Sequence, residues 1–324
     1  MRRRDFLVCV GAASWLFRPG VSRAEDKIAR IGFLARARPE WSEMRGLDEG
    51  LRERGYIEGK NILIERRYTL AFDDELSSLA VELVRANPDV IVTYGTPSAV
   101  AVLNATKTIP IVFTAAGDPL ATGLAASLAR PGGNATGVSI ISTELSAKRL
   151  DLLKQLAPRL RKATYLSAVS NPASAAGMSS IQAAAKALQL KLDVVNVRRH
   201  EDVAAAIGAM SWKSIGGLVV GGDPIFLAEG ARIAEAVRKA RVPAVFPWRQ
   251  FQEYGVVMIY DTDLKDVLRR GPYFVDRILK GTSPAELPVE QVSTTTLIID
   301  LRAAREQRIN VPEELVYRAD QVIR

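Results

Sequence analysis

The sequence predicts an α/β protein of two doubly wound lobes joined by several chain crossings, and three observations carry that prediction. Short apolar runs rich in β-branched residues, Val90 to Tyr94 and Ile109 to Thr114, each stop at small or polar residues and give way to a helical pattern. Runs of this length bounded by turn residues read as strands buried on both faces of a parallel sheet. The order of strand, helix and strand then occurs in both halves of the 324 residues, a length that suits two domains of ordinary size. Finally, Tyr94-Gly95-Thr96-Pro97 and Thr108 to Phe113 find counterparts in Gly221-Gly222-Asp223-Pro224 and Arg241 to Phe246, as two similar lobes would.

The chain opens on an address. Residues 1–24 combine a basic start, an apolar stretch from Phe6 to Phe17 and small residues at Ser22 and Ala24, the pattern of a cleaved export signal. That stretch is too short to span a bilayer. Arg3-Arg4-Asp5-Phe6-Leu7 resembles the twin-arginine motif, and an ordinary secretory signal is the alternative. Both place the mature protein outside the cytoplasm, in the periplasm. Cys9, the single cysteine, lies in the segment expected to be removed, without the small preceding residue of a lipidation site.

Ala29 to Leu34 reads as the first strand, opening into a loop that carries Arg36, Arg38 and Trp41. Met44 to Arg54 has helical spacing and stops at Gly55, suited to a helix C-terminus. Asn61 to Tyr68 is a second strand, Asp74 to Ala86 a helix, and the strand at Val90 follows, giving right-handed crossover units. Thr96 has the character of an N-cap with Pro97 at the first helical position, and Asp118-Pro119 repeats the arrangement. Two helix starts would then face one crevice at the strand ends. Their free N–H groups and positive dipole ends favour an anionic group such as a carboxylate or phosphate.

The second half reads as strand Ala163 to Val169, loop Ser170-Asn171-Pro172, helix Ser179 to Leu188, strand Lys191 to Val197, helix Val203 to Met210 and strand Leu218 to Val220. A helix from Leu227 to Ala240 and strands Val242 to Phe246 and Gly255 to Tyr260 complete it. The amphipathic helix Leu264 to Leu279 needs a place to pack and is expected to cross back to the first lobe. Pro288 to Leu301 returns as one extended segment, with Pro312 to Ile323 as a docked tail. The expected division is a signal at 1–24, a first lobe of 25–142 plus about 261–285, and a second of 143–260 plus about 286–324. Several crossings would make a hinge that closes on ligand.

Composition narrows the function classes. The formal charge is +8, but Arg2, Arg3, Arg4, Arg18 and Arg23 against Asp5 put half of it in the export segment. The remaining excess, with no basic helix or aromatic-basic stripe, argues against nucleic acid as a partner. The lone His200 sits in a polar stretch, so neither a metal site built from His or Cys nor a histidine base is expected. No Cys-His pair, G-x-S-x-G elbow, P-loop or G-x-G-x-x-G after the first strand is present, which speaks against an enzyme, although carboxylates alone can run acid-base chemistry. No cofactor is expected.

Several stretches carry a resemblance. Gly50 to Ile62 (GLRERGYIEGKNI), Ile109 to Phe113 (IPIVF), Gly117-Asp118-Pro119, Ser127 to Gly137 (SLARPGGNATG), Thr143 to Leu150 (TELSAKRL), Tyr273 to Gly281 (YFVDRILKG) and Leu287 to Gln291 (LPVEQ) are similar to the ABC-transporter substrate-binding proteins that include tryptophan-binding members. The resemblance implies a type I periplasmic-binding fold of two Rossmann-like lobes, and a monomer that holds a small-molecule ligand, such as an amino acid or other small carboxylate, for a membrane ABC permease. A ligand-sensing module for a signalling receptor needs the same clamp.

Carried onto this chain, the ligand carboxylate would be held at Gly95, Thr96 and Ser98 and at Ala115, Ala116, Gly117 and Asp118, and an ammonium by Asp223. Asn171, Trp248 and Tyr260 would wall the side-chain pocket, with Trp41 reaching in from the first lobe. The residues also admit plainer readings. Thr96, Asp118 and Asp223 suit helix caps, Trp248 and Tyr260 suit a core, and Gly132-Gly133 suits a tight turn. Glu144, Lys148 and Arg149 read as a solvated helix face, and Arg36 and Arg38 as surface unless the ligand is acidic.

Overall fold

A computed structural model describes residues 28–71, 74–140 and 142–324. Residues 1–24, read above as an export signal, lie outside the described residues together with Cys9.

Parallel strands covered on both faces should be apolar throughout, and β3 (Val90–Tyr94) and β4 (Ile111–Gly117) are buried at every position. They form the middle of a first sheet with β1 (Ala29–Ala35), β2 (Ile62–Tyr68), β5 (Ala135–Ile140) and β11 (Glu290–Val292), in the order β11-β5-β4-β3-β1-β2, all parallel. The second sheet holds β6 (Lys162–Ala168), β7 (Lys191–Val197), β8 (Leu218–Val220), β9 (Ala244–Phe246), β10 (Met258–Asp261), β12 (Thr296–Asp300) and β13 (Gln321–Ile323). Its order is β13-β12-β10-β9-β8-β6-β7, with β10 and β12 antiparallel and the other pairs parallel.

Helices α1 (Arg45–Arg52), α2 (Asp74–Arg85), α3 (Thr96–Ala105) and α9 (Leu264–Leu279) cover the first sheet. The second lobe carries α4 (Ser142–Leu156), α5 (Pro172–Ala187), α6 (Asp202–Ala209), α7 (Pro224–Ala228), α8 (Gly230–Ala240), α10 (Leu301–Gln307) and α11 (Glu313–Arg318). The chain passes from lobe to lobe between β5 and α4, between Asp261 and Leu264, and between Val292 and Thr296.

The structure departs from the sequence reading at several points. Residues 118–134 form turns, not a second helix, and β5 adds a strand that their polar, glycine-containing continuation did not announce. Helix α5 begins at Pro172 instead of Ser179, because the Asn171 side chain accepts from the Ala173 N–H and starts the helix there. The helix expected over 227–240 breaks at Glu229 into α7 and α8. Gly230 sits under an aromatic at that break, where a Cβ would stand 2.5 Å from Tyr254 Cε2. The extended segment expected over 288–301 is two strands in different sheets. Because β11 pairs with β5, the last return to the second lobe falls after Val292, later than the expected 286.

Candidate functional site

The carboxyl ends of β1, β3 and β4 face those of β6, β8 and β9 across a cleft, the position open α/β sheets offer a ligand. Two small adjoining cavities of about 40 and 50 Å³ lie there and share Ile140, Ala173, Gly222 and Trp248 as walls.

On the first-lobe side, Gly95 (φ 83°) is the N-cap of α3, in a conformation that favours glycine, and Thr96 is the first helical residue. The Thr96 hydroxyl, expected to cap the helix, instead accepts from the Gly117 N–H at 2.8 Å and ties the end of β4 to α3. Gly95, Thr96, Ala115 and Gly117 line the cavity. Ser98 is buried just behind it and accepts from the Arg36 N–H at 3.0 Å. Ala116 points to the opposite face of the sheet, into a core with Phe113 and Leu124. Asp118 accepts from the Ala121 N–H at 3.0 Å within a turn, so of the two helix starts expected on this side only that of α3 faces the cleft. Trp41 packs half-buried on the first-lobe core and lines neither cavity.

On the second-lobe side, Asn171 and Trp248 line the cavity. Asp223 caps α7 by accepting from the Ile225 N–H at 3.0 Å and also accepts from Asn171 Nδ2 at 2.8 Å. Its two oxygens meet Arg36 Nη1 across the cleft at 3.1 Å each, and both side chains are fully buried. Asp223 therefore clasps the two lobes together. A second clasp joins Gln250 Nε2 to Glu43 Oε2 at 2.8 Å. Tyr260 lies away from these cavities, its hydroxyl accepting from Thr295 beside the last crossing.

Two arginines read as surface are core residues of the site. Arg36 is one, held between Ala35 and Ala37, both buried. Arg149 is the other, 2% exposed on α4. Its signal was present in the sequence, since Leu145, Leu152, Leu153 and Leu156 stand at helical spacing from it and put Arg149 on the apolar face. Ser146, Tyr165 and Thr262 complete that wall, and Tyr94, with Glu43 beside it, lines the other cavity.

Burial raises the carboxyl pKa of Glu43 against the hydrogen bond it accepts from Gln250 Nε2. It raises Asp261, at the end of β10, from 3.8 to about 6, against the opposing pull of Arg249 Nε at 2.7 Å. A carboxyl whose native pKa is raised favours folding below its ordinary value and loses that contribution as pH rises through the native one. Stability should therefore fall between pH 4 and pH 7, with Asp261 accounting for up to about 3 kcal/mol. Asp261→Asn should flatten that profile. Thermal unfolding of both proteins across the range checks this, and a slope unchanged in the variant would assign it elsewhere.

A family model described as ABC transporter substrate binding protein matches residues 39–323. A tyrosine-binding protein of Clostridioides difficile is 27% identical over 281 residues, covering 86% of this chain and 80% of that protein. Among solved structures, a conserved domain protein from Vibrio cholerae superposes with a TM-score of 0.86 at 28% identity, covering 91% of this chain and all of the other. The ABC domain in complex with L-Trp from Streptococcus pneumonia superposes with a TM-score of 0.83 at 25% identity, covering 91% and 99%.

Proposed function

This chain belongs to the family of ABC transporter substrate-binding proteins, with their type I periplasmic-binding fold, and from that membership we propose that it clamps a small carboxylate-bearing solute between its lobes and hands it to a membrane ABC permease. The observation that carries this reading is the cleft itself. Two opposed sets of strand ends, each with its own sheet, are joined by three crossings and meet through side chains, Arg36 with Asp223 and Glu43 with Gln250. Two lobes on such a hinge open by separating these pairs and close by restoring them.

Amino acids are the solute class the relatives suggest, since one is a tyrosine-binding protein and another holds L-Trp. The backbone N–H groups at the start of α3 suit a carboxylate, and Trp248 gives an apolar wall. Asn171 stands beside it. Family members work outside the cytoplasm, and the twin-arginine-like start supports a periplasmic protein exported by that route. The protein acts as a monomer without catalysis.

A solute at about 100 times its Kd should add roughly 2.7 kcal/mol of stability. Thermal-shift screening with amino acids, small carboxylates and aromatic metabolites measures it. Silence across such a library would count against a solute-binding protein.

A further inference from the structure

Among the described residues of the cleft, Arg36 pairs with Asp223 and Asp261 with Arg249, and burial raises the pKa of the third buried acid, Glu43, which favours its neutral form. Arg149 remains. Its Nε donates to the Tyr260 carbonyl at 3.2 Å and its Nη2 to the Pro247 carbonyl at 3.4 Å, while no acidic side chain among the described residues forms an ion pair with it. The third nitrogen, Nη1, makes no hydrogen bond to the described residues and stands on the cavity wall, 3.9 Å from where a Cβ on Gly222 would be. Burial lowers its pKa to about 10, which still leaves it charged at neutral pH. Beyond these carbonyls Arg149 meets the field of Asp261, which Arg249 already pairs, so a buried cation of this kind gains from an anion that joins it at Nη1.

An ammonium, in contrast, finds its acid already taken. Asp223 accepts from Ile225, Asn171 and Arg36, and a carboxylate offers about four acceptor sites in all. A zwitterion would bring its ammonium into a cleft where Arg149 already makes no ion pair among the described residues. We propose, resting on the solute-binding reading above, that Arg149 receives an anionic group of the solute from the second lobe and that the solute is a net-negative carboxylate rather than a zwitterion. Ser146 and Tyr165, whose hydroxyls lie 3.3 Å apart on the same wall, supply further hydrogen-bond partners for that anion.

The protein purified without refolding is screened by thermal shift against α-amino acids, the matching acids that lack the amino group, dicarboxylates, and neutral sugars, and hits are ranked by calorimetric Kd. The expected result is that the tightest ligand is an organic anion and that Arg149→Gln weakens it about 30-fold. Arg149→Lys should restore part of the loss. A zwitterion, cation or neutral solute as the tightest ligand overturns the proposal while leaving the solute-binding reading intact, as does an Arg149→Gln variant of unchanged affinity. No ligand in any class overturns the solute-binding reading and the charge assignment with it. Where Arg149→Gln does not fold, the charge of the ligands ranked on the parent protein decides.

Discussion

Asp223→Ala is expected to destabilise the closed protein by about 4 kcal/mol. The carboxylate is fully buried and serves three donors, so its loss acts through three separate effects. Helix α7 loses its cap, typically worth about 1 kcal/mol. Asn171 Nδ2 loses a buried acceptor. Arg36 loses the buried carboxylate it meets across the cleft, and this dominates, because breaking one half of a buried pair costs about 3–5 kcal/mol whatever the pair contributes when intact. Part of the response should be mechanical, since separating the lobes would hydrate Arg36. A larger radius of gyration by small-angle scattering should therefore accompany the lower denaturant midpoint. Asp223→Asn keeps a good capping residue and should cost less than Asp223→Ala. Arg36→Met should cost less in an Asp223→Asn background than in the parent, because the pair is then already broken. A stability for Asp223→Ala within about 0.5 kcal/mol of the parent, the range of an ordinary surface change, would mean that the two side chains do not meet.

The same contact shows where sequence reading reached its end. Local pattern announced the strands of both lobes, because strands covered on two faces must be apolar at successive positions, as β3 and β4 are. It also placed Asp223 at a helix start, which is correct, since capping is decided within a few residues. What it did not give was the partner. Arg36 lies 187 residues away, and nothing local to either residue encodes that distance. Arg149 was legible in principle and was missed because charge outweighed spacing in the reading of α4. The second helix start at Asp118 failed for the opposite reason. Asp-Pro fits a turn as well as a helix cap, and here the turn won. Strand β5 hid behind its glycine. Gly137 has φ 145°, and a Cβ there would stand 2.0 Å from the Phe113 carbonyl oxygen beside a register shift in β4, so the backbone requires a residue that weakens any strand pattern.

Glycine also governs how the second segment of the first lobe is seated, and Gly50→Ala is expected to cost about 3 kcal/mol. Gly46 and Gly50 stand four residues apart on α1 and so share one face, which lies against α9. A Cβ on Gly50 would stand 2.2 Å from the Arg269 carbonyl oxygen and 3.0 Å from Pro272 Cγ, and one on Gly46 would stand 2.4 Å from the Lys265 carbonyl oxygen. The obstacles at 2.2 and 2.4 Å are backbone, so no rotamer change relieves them. The helices must part, and Leu47 and Leu51 then lose their packing with Val267, Leu268 and Val275. Alanine's better helix propensity returns about 1 kcal/mol, less than the loss. Ion pairs along the same seam, Arg269 with Glu53 at 3.0 Å and Lys265 with Glu49 at 2.8 Å, are partly exposed and too weak to hold the helices at a new spacing. Gly208 on α6 provides the contrast, since nothing stands within 4 Å of its Cβ position and its φ needs no glycine. Gly208→Ala should stabilise by up to about 1 kcal/mol. Opposite signs for one substitution in two helices, read by urea denaturation, would trace the effect to the helix contact instead of to helix propensity. A Gly50→Ala variant as stable as the parent would mean that α9 does not seat on α1 as described.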